Sequence, residues 1–156
     1  MIAETAAWAA SQGKTLYGLL KEIYVQYGFY FETLVSLTKK GKSGAEEIRD
    51  MMAQYRQNPP RSLGGVEVSV VKDYLTSTET RLADGSTLGI DLPKSDVLQF
   101  FLSDGSKITV RPSGTEPKIK FYFGAKAPLA RVEDFEAVRG QLAENVKRIT
   151  LDMGAG

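Results

Sequence analysis

The chain has 156 residues with nearly balanced formal charges, a net charge of +1, and neither cysteine nor histidine. The absence of these two residue types excludes disulfides, thiolate nucleophiles, Ser-His-Asp triads and the usual zinc ligands, so any chemistry falls to carboxylates, hydroxyls, lysine or arginine. The balanced charge gives no reason to expect a nucleic-acid partner. No apolar run approaches the ~20 residues of a membrane span, so we expect no membrane partner. No signal-peptide pattern opens the chain, so we expect a cytoplasmic location.

The first two predicted elements are helices. Ile2 to Ser11 is alanine-rich and has no N-cap before it, which suggests a helix already under way and a chain cut from something larger. Thr15 caps a second helix that Gly28 ends. Residues 13–15 mimic the end of a P-loop, but Trp8 stands where that motif needs a glycine, and a helix rather than a strand precedes it. We therefore assign no nucleotide-binding loop.

The next stretch is predicted to be extended and then helical. Residues 29–37 mix aromatic and β-branched types, which is typical of a strand and equally of a hydrophobic linker lying on the core. Ser43 followed by Glu46 has the form of a capping box, so a third helix is predicted to open there. This helix should end before Pro59-Pro60.

From Val66 onward the pattern is mainly that of β-strands. Asp84-Gly85 and Asp104-Gly105 predict turns between short alternating segments, so the sheet should be largely antiparallel. After Pro128, apolar residues recur at spacings of three and four and predict a closing helix that Gly154 ends. Together these elements predict an α+β fold with helices packed on one face of a mainly antiparallel sheet.

One predicted loop carries the groups that bind phosphate. Residues 107–110 and 118–123 alternate with period two, as half-buried strands do, and the segment Arg111 to Pro117 connects them. Arg111 offers a planar fork, Ser113 and Thr115 offer hydroxyls, and the backbone amides around Gly114 would form an anion-binding nest. The same residue types also dominate ordinary turns, so a surface loop without a ligand is the alternative.

This loop is similar to a known one. The run Arg111 to Pro117, followed by Lys-Ile-Lys-Phe-Tyr at residues 118–122, resembles the phosphate-binding loop in the last domain of the α-D-phosphohexomutases. The sequence that follows the loop is more similar to that of the phosphoglucomutase/phosphomannomutase group than to that of the phosphoglucosamine mutases. Upstream, residues 2–10, 13–16 and 24–30 resemble the segment that leads from the third domain of such enzymes into the fourth.

The resemblance implies a fold similar to that of TATA-box-binding protein. It also implies a parent enzyme that interconverts hexose 1-phosphate and hexose 6-phosphate through hexose 1,6-bisphosphate, with a phosphoserine and Mg²⁺. By position, Arg111, Ser113, Gly114 and Thr115 would hold the phosphate of the phosphosugar substrate that is not reacting, with Lys120 as a second cation. The family often has arginine at this last position, and lysine keeps the charge but loses the fork. An ordinary solvated strand residue is the alternative for Lys120.

The family's phosphoserine, metal and sugar loops have no counterpart in this sequence. We therefore predict no catalytic residue, metal ligand or cofactor in the chain, and we expect it to be inactive by itself. Residues 1–27 are predicted to be the helical end of the preceding third α/β domain, and residues 28–156 the C-terminal phosphate-binding domain, with the upstream domains of the same enzyme as partners. Two alternatives stay open: a stand-alone phosphoryl-ligand-binding module, and a structural or interaction module without catalysis.

Overall fold

The computed structural model describes the backbone of residues 1–156 and every side chain except that of residue 42. It has the predicted fold class, α+β with an antiparallel sheet. The elements in chain order are α1 (Ile2–Ser11), α2 (Leu16–Tyr27), β1 (Phe29–Thr38), α3 (Gly41–Gln57), β2 (Ser62–Leu63), β3 (Val66–Asp73), β4 (Thr78–Arg81), β5 (Thr87–Gly89), β6 (Leu98–Leu102), β7 (Lys107–Pro112), β8 (Lys118–Ala127), a 3-10 turn (Val132–Asp134) and α4 (Phe135–Asp152).

The sheet is built from neighbouring antiparallel strands in the order β1-β8-β7-β6-β3-β4-β5, with β2 paired to the start of β3. Both predicted Asp-Gly turns connect paired strands, β4 to β5 and β6 to β7. Residues 29–37, for which a strand and a linker were both open, form a strand. This strand, β1, pairs with β8 from Phe29 opposite Ala127 to Thr38 opposite Lys118.

The core lies between one face of the sheet and the helices α3 and α4. Alternate residues of β6, β7 and β8 point into it, and Phe100 and Phe121 are completely buried at its centre. Ile48 and Met52 of α3 and the apolar side chains of α4 cover them. Burying a side chain of this size stabilises the fold by about 1.5–3 kcal/mol. The opposite face of the hairpin formed by β7 and β8 is left to polar and charged residues.

The helices α1 and α2 differ in how closely they contact this core. Tyr24 of α2 stacks on Phe135 with ring centroids 6.1 Å apart and lies 4.7 Å from the ring of Phe29. By contrast, Ala9 is the only α1 residue that the structure records as buried, and Trp8 is 53% exposed. The two helices therefore leave an apolar surface in solvent. No helix in the described residues is long and apolar enough to cross a membrane.

The predicted start of α3 is wrong. The helix begins at Gly41 with Lys40 as its N-cap and no side-chain capping bond, and not at a capping box formed by Ser43 and Glu46. The chain turns into the helix at Gly41, whose φ is +74°, two residues before Ser43. Gly44 then allows a close approach, because a Cβ atom there would lie 2.7 Å from the Cβ of Lys39. Without that atom, the first helical turn packs directly against Lys39, the residue that follows β1.

Gly64 occupies a position that excludes a side chain. Its φ is +60°, and a Cβ atom would lie 2.7 Å from Cγ1 of Ile149. The Gly64 amide also donates a hydrogen bond of 2.7 Å to Oδ2 of Asp152, which fixes the turn against the end of α4. The adjacent Gly65 has a φ of +81° but open space around it. A side chain at position 65 would therefore strain the backbone without clashing with a neighbour.

Gly64→Ala should therefore lower the free energy of unfolding by about 2–4 kcal/mol, because left-handed strain adds to overpacking against Ile149. Gly65→Ala is the matched control and should show only the strain, about 1–2 kcal/mol. Urea denaturation followed by circular dichroism measures both values. Equal losses in the two variants would show that the contact with Ile149 does not limit this position.

Candidate functional site

The loop between β7 and β8 is fixed on both sides. Its ends are joined by a hydrogen bond of 2.8 Å from the Ser113 amide to the carbonyl oxygen of Lys118. A second bond, 2.9 Å long, runs from the Lys39 amide at the end of β1 to the carbonyl oxygen of Pro117. The loop is therefore attached to β1 as well as to its own hairpin, and it projects from one end of the sheet.

Hydrogen bonds within the loop orient its donors. The hydroxyl oxygen of Ser113 accepts from the amides of Thr115, at 3.4 Å, and Glu116, at 3.3 Å. These two amides are thus directed at Ser113 and not outward into a nest. The groups left to face a ligand are the hydroxyl hydrogens of Ser113 and Thr115 and the amide of Gly114, which has no acceptor among the described residues.

The local backbone does not require glycine at position 114. Its φ lies outside the left-handed region, and a Cβ atom built there would meet nothing within 4 Å. In this respect Gly114 differs from Gly64, whose φ and neighbours exclude a side chain. The glycine therefore leaves open space directly in front of the loop, where a ligand would approach the backbone.

Two cations stand next to the loop on the same face of the hairpin. Arg111 and Lys120 lie directly opposite each other in the register of β7 and β8, which places their Cβ atoms about 4.5–5.5 Å apart. Arg111 is exposed and Lys120 half-buried. Neither has an ion-pair or hydrogen-bond partner among the side chains that the structure describes. The structure thus brings all five predicted site residues, Arg111, Ser113, Gly114, Thr115 and Lys120, to one end of one hairpin.

The acidic residue of the loop is already neutralised. Glu116 forms an ion pair with Lys118, with 3.0 Å between Oε2 and Nζ. This hydrogen bond lowers the pKa of the Glu116 carboxyl, and the charge of Lys120 lowers it further to a lesser extent. Because Lys118 balances the carboxylate, the positive charges of Arg111 and Lys120 remain available to an anion.

Two clusters of acidic residues elsewhere in the chain, at positions 133–136 and 46–47, contain ordinary ion pairs. Asp134 accepts bonds from the guanidinium of Arg131 at 2.9 and 3.1 Å, and these bonds lower the pKa of its carboxyl. Glu47 forms an ion pair with Lys39 at 3.1 Å. In the part of the chain that the structure describes, no group of three or more acidic side chains is arranged to hold a metal ion. Neither cluster has the features of a catalytic carboxylate pair.

Sequence reasoning missed one neighbour of the site. Lys120 pairs on its other side with Ser36 of β1, which is exposed. The two residues are far apart in sequence, and no local pattern indicates that β1 would lie next to β8. Only the register of the folded sheet places this hydroxyl beside the cations.

Comparisons with known proteins give matches that include the loop between β7 and β8. Residues 35–139 match the family described as "Phosphoglucomutase/phosphomannomutase, C-terminal domain". The chain is 43% identical over 116 residues to the phosphoglucomutase of Staphylococcus aureus strain MRSA252, covering 74% of this chain and 21% of that protein. It is 42% identical, with the same coverage, to the phosphoglucomutase of strain USA300.

Among solved structures, an open form of the Paramecium phosphoglucomutase pp63/parafusin aligns with a TM-score of 0.45 and 15% identity, covering 86% of this chain and 24% of that one. The chain spans about a fifth of the length of the bacterial relatives. Since the family match includes β7, β8 and the loop between them, the chain belongs to the phosphoglucomutase/phosphomannomutase family and contains its C-terminal domain.

Proposed function

We propose that the chain is the C-terminal part of a cytoplasmic phosphohexomutase that interconverts hexose 1-phosphate and hexose 6-phosphate. Its share of the work is to hold the phosphate of the phosphosugar that is not reacting. The observation that carries this proposal is the pair formed by Arg111 and Lys120, two cations without partners among the described side chains, beside a loop that contains the hydroxyls of Ser113 and Thr115. The family match over residues 35–139 supports the proposal.

The residues divide the binding of a phosphate between them. Arg111 directs two parallel N–H groups at two phosphate oxygens, while Lys120 contributes a point charge from the neighbouring strand. The hydroxyls of Ser113 and Thr115 donate to the remaining oxygens, and Gly114 lets the ligand approach its amide. Binding energy from a phosphate that does not react holds the sugar in register for transfer at its other end.

The chemical step belongs outside this chain. The resemblance implies a phosphoserine, Mg²⁺ and hexose 1,6-bisphosphate for the full-length enzyme, and we propose that the upstream domains supply the groups that use them. The described residues do not fit a magnesium site, because no cluster of acidic side chains converges.

We also propose that residues 1–27 belong with the preceding domain and residues 28–156 form the C-terminal domain. The apolar side chains that α1 and α2 leave exposed support this division. At the same time Tyr24 packs on Phe29 and Phe135, so α2 contacts the C-terminal domain directly. In this arrangement α2 is the part of the preceding domain that contacts the C-terminal domain.

A stand-alone phosphoryl-binding module is the second candidate. Every predicted binding residue lies on the hairpin formed by β7 and β8, so the site needs no side chain from another domain to bind phosphate. The coding sequence upstream of this chain distinguishes the two candidates, because an enzyme requires the nucleophile and metal loops there.

The chain should bind glucose 6-phosphate weakly, with a dissociation constant on the order of millimolar, because a few charge-assisted hydrogen bonds must offset the association cost. Arg111→Lys should weaken this binding about three- to tenfold by removing the fork, and Lys120→Ala should weaken it less. Titration of the amide resonances of residues 111–116 measures the affinities. Lys107→Ala is the control, since Lys107 is exposed on the same strand but lies at the end of β7 away from the loop.

The melting temperature separates binding from folding in this experiment. Both cations lie outside the buried face of their strands, so neither substitution should lower the melting temperature by more than a few degrees. A large thermal destabilisation by Arg111→Lys with unchanged affinity would make Arg111 a structural residue and remove the proposed site.

Gly114→Ala tests the open space in front of the loop. The substitution should leave the free energy of unfolding unchanged or raise it by about 0.4–1 kcal/mol, because alanine fits the backbone and restricts the unfolded chain. The added methyl group should nevertheless weaken binding of glucose 6-phosphate by occupying the path of the ligand. Chemical denaturation and the same titration measure the two effects. A stable variant with undiminished affinity would show that the ligand does not approach at Gly114.

The purified chain should not convert glucose 1-phosphate to glucose 6-phosphate, because it lacks the nucleophile and metal loops. A coupled assay for glucose 6-phosphate, with added Mg²⁺ and glucose 1,6-bisphosphate, measures this directly. Turnover that co-purifies with the chain and is lost in Arg111→Ala would contradict the assignment of chemistry to other domains.

A further inference from the structure

A single row of side chains crosses three adjacent strands beside the loop. Ser36 of β1 lies directly opposite Lys120 of β8, and Lys120 lies directly opposite Arg111 of β7. Direct partners in an antiparallel sheet point to the same face, with their Cβ atoms about 4.5–5.5 Å apart. The row therefore has a hydroxyl at one end, an ammonium group in the middle and a guanidinium at the other end.

The hydroxyl of Ser36 is available to a ligand. Along β1 the exposed residues alternate with partly buried ones, so Ser36 is exposed while Val35 and Leu37 turn toward the helices. No hydrogen bond to the Ser36 side chain is found within the described residues. Two residues further along β1, Thr38 pairs with Lys118 at the end of the loop. Ser36 thus faces the same solvent space as the two cations, close to where β1 is attached to the loop.

The chemistry of a phosphate explains why a hydroxyl fits this position. A bound phosphate presents several oxygens, and Lys120 is a point charge that does not orient them. The hydroxyls of Ser113 and Thr115 lie toward the loop side of the cations, whereas Ser36 lies on the β1 side. A donor there reaches an oxygen that the loop leaves uncovered, and a neutral side chain does not cancel the charge of Lys120.

We propose that Ser36 is a further phosphate-binding residue whose hydroxyl donates to the phosphate held by Arg111 and Lys120. The inference rests on the proposed function of the hairpin and adds β1 to the site. The phosphate is then held by three strands and the loop, and not by the hairpin alone.

Titration of the 156-residue chain with inorganic phosphate and with glucose 6-phosphate tests this role. Ser36→Ala should weaken the binding of both probes about three- to tenfold, as expected for the net loss of one hydrogen bond at a solvent-exposed site. Ser36→Thr keeps the hydroxyl and should restore the affinity to within about twofold. Ser36→Asp should abolish measurable binding, because its carboxylate pairs with Lys120 and repels the anion. Ser103→Ala, at an exposed serine in the turn between β6 and β7, is the matched control.

The variants also separate this inference from the proposed function. If Arg111→Lys weakens binding and Ser36→Ala does not, the role of Ser36 is overturned while the hairpin site stands. If the unmodified chain shows no phosphate-dependent shifts at residues 111–116, both are overturned. Because Ser36 is exposed, circular dichroism and the melting temperature should be unchanged in its variants. If Ser36→Ala weakens phosphate binding and also lowers the melting temperature by many degrees, the role of Ser36 is structural and the inference also fails.

Discussion

The pairing of β1 with β8 is the interaction on which the rest of the structure depends. It joins the first strand of the chain to the last over a continuous register from Phe29 opposite Ala127 to Thr38 opposite Lys118. Without it, β8 would present a row of unpaired backbone groups at the edge of the sheet. The same pairing brings the end of β1 to the carbonyl group of Pro117, so the loop is held from outside its own hairpin. Sheet stability and loop position therefore have a common origin.

Alternation along β8 couples the core to the site. Ile119 and Phe121 are completely buried, and Lys120 between them lies on the opposite face. A slip of one residue in the register would turn the lysine into the core and expose two large apolar side chains. The cost of burying an unpaired charge, together with the lost apolar burial, excludes that alternative. The apolar residues of β8 thus fix the cation in place, although none of them would touch a ligand.

Features set by local chemistry were predictable from the sequence. The Asp-Gly turns, the alternation of β7 and β8, and the helix capped by Thr15 depend on residues close in the chain, and the structure has them. The start of α3 was not predictable, because no side chain caps it and the chain enters it through a left-handed glycine, Gly41. The strand β2 was not predictable either, because its two residues are too few to show the alternation of apolar and polar side chains that marks a strand. The position of Ser36 beside Lys120 follows from pairing between distant strands, which no local pattern encodes.

Exposure sets the strength of the proposed phosphate grip. The side chain of Arg111 is exposed, and charge interactions at a protein surface are weakened by the solvent and by salt. The same charges would act more strongly if another domain covered the row and excluded water, since the effective dielectric constant falls as the site closes. In the proposed enzyme, the grip on phosphate would therefore depend on how closely the domains approach as well as on Arg111 and Lys120.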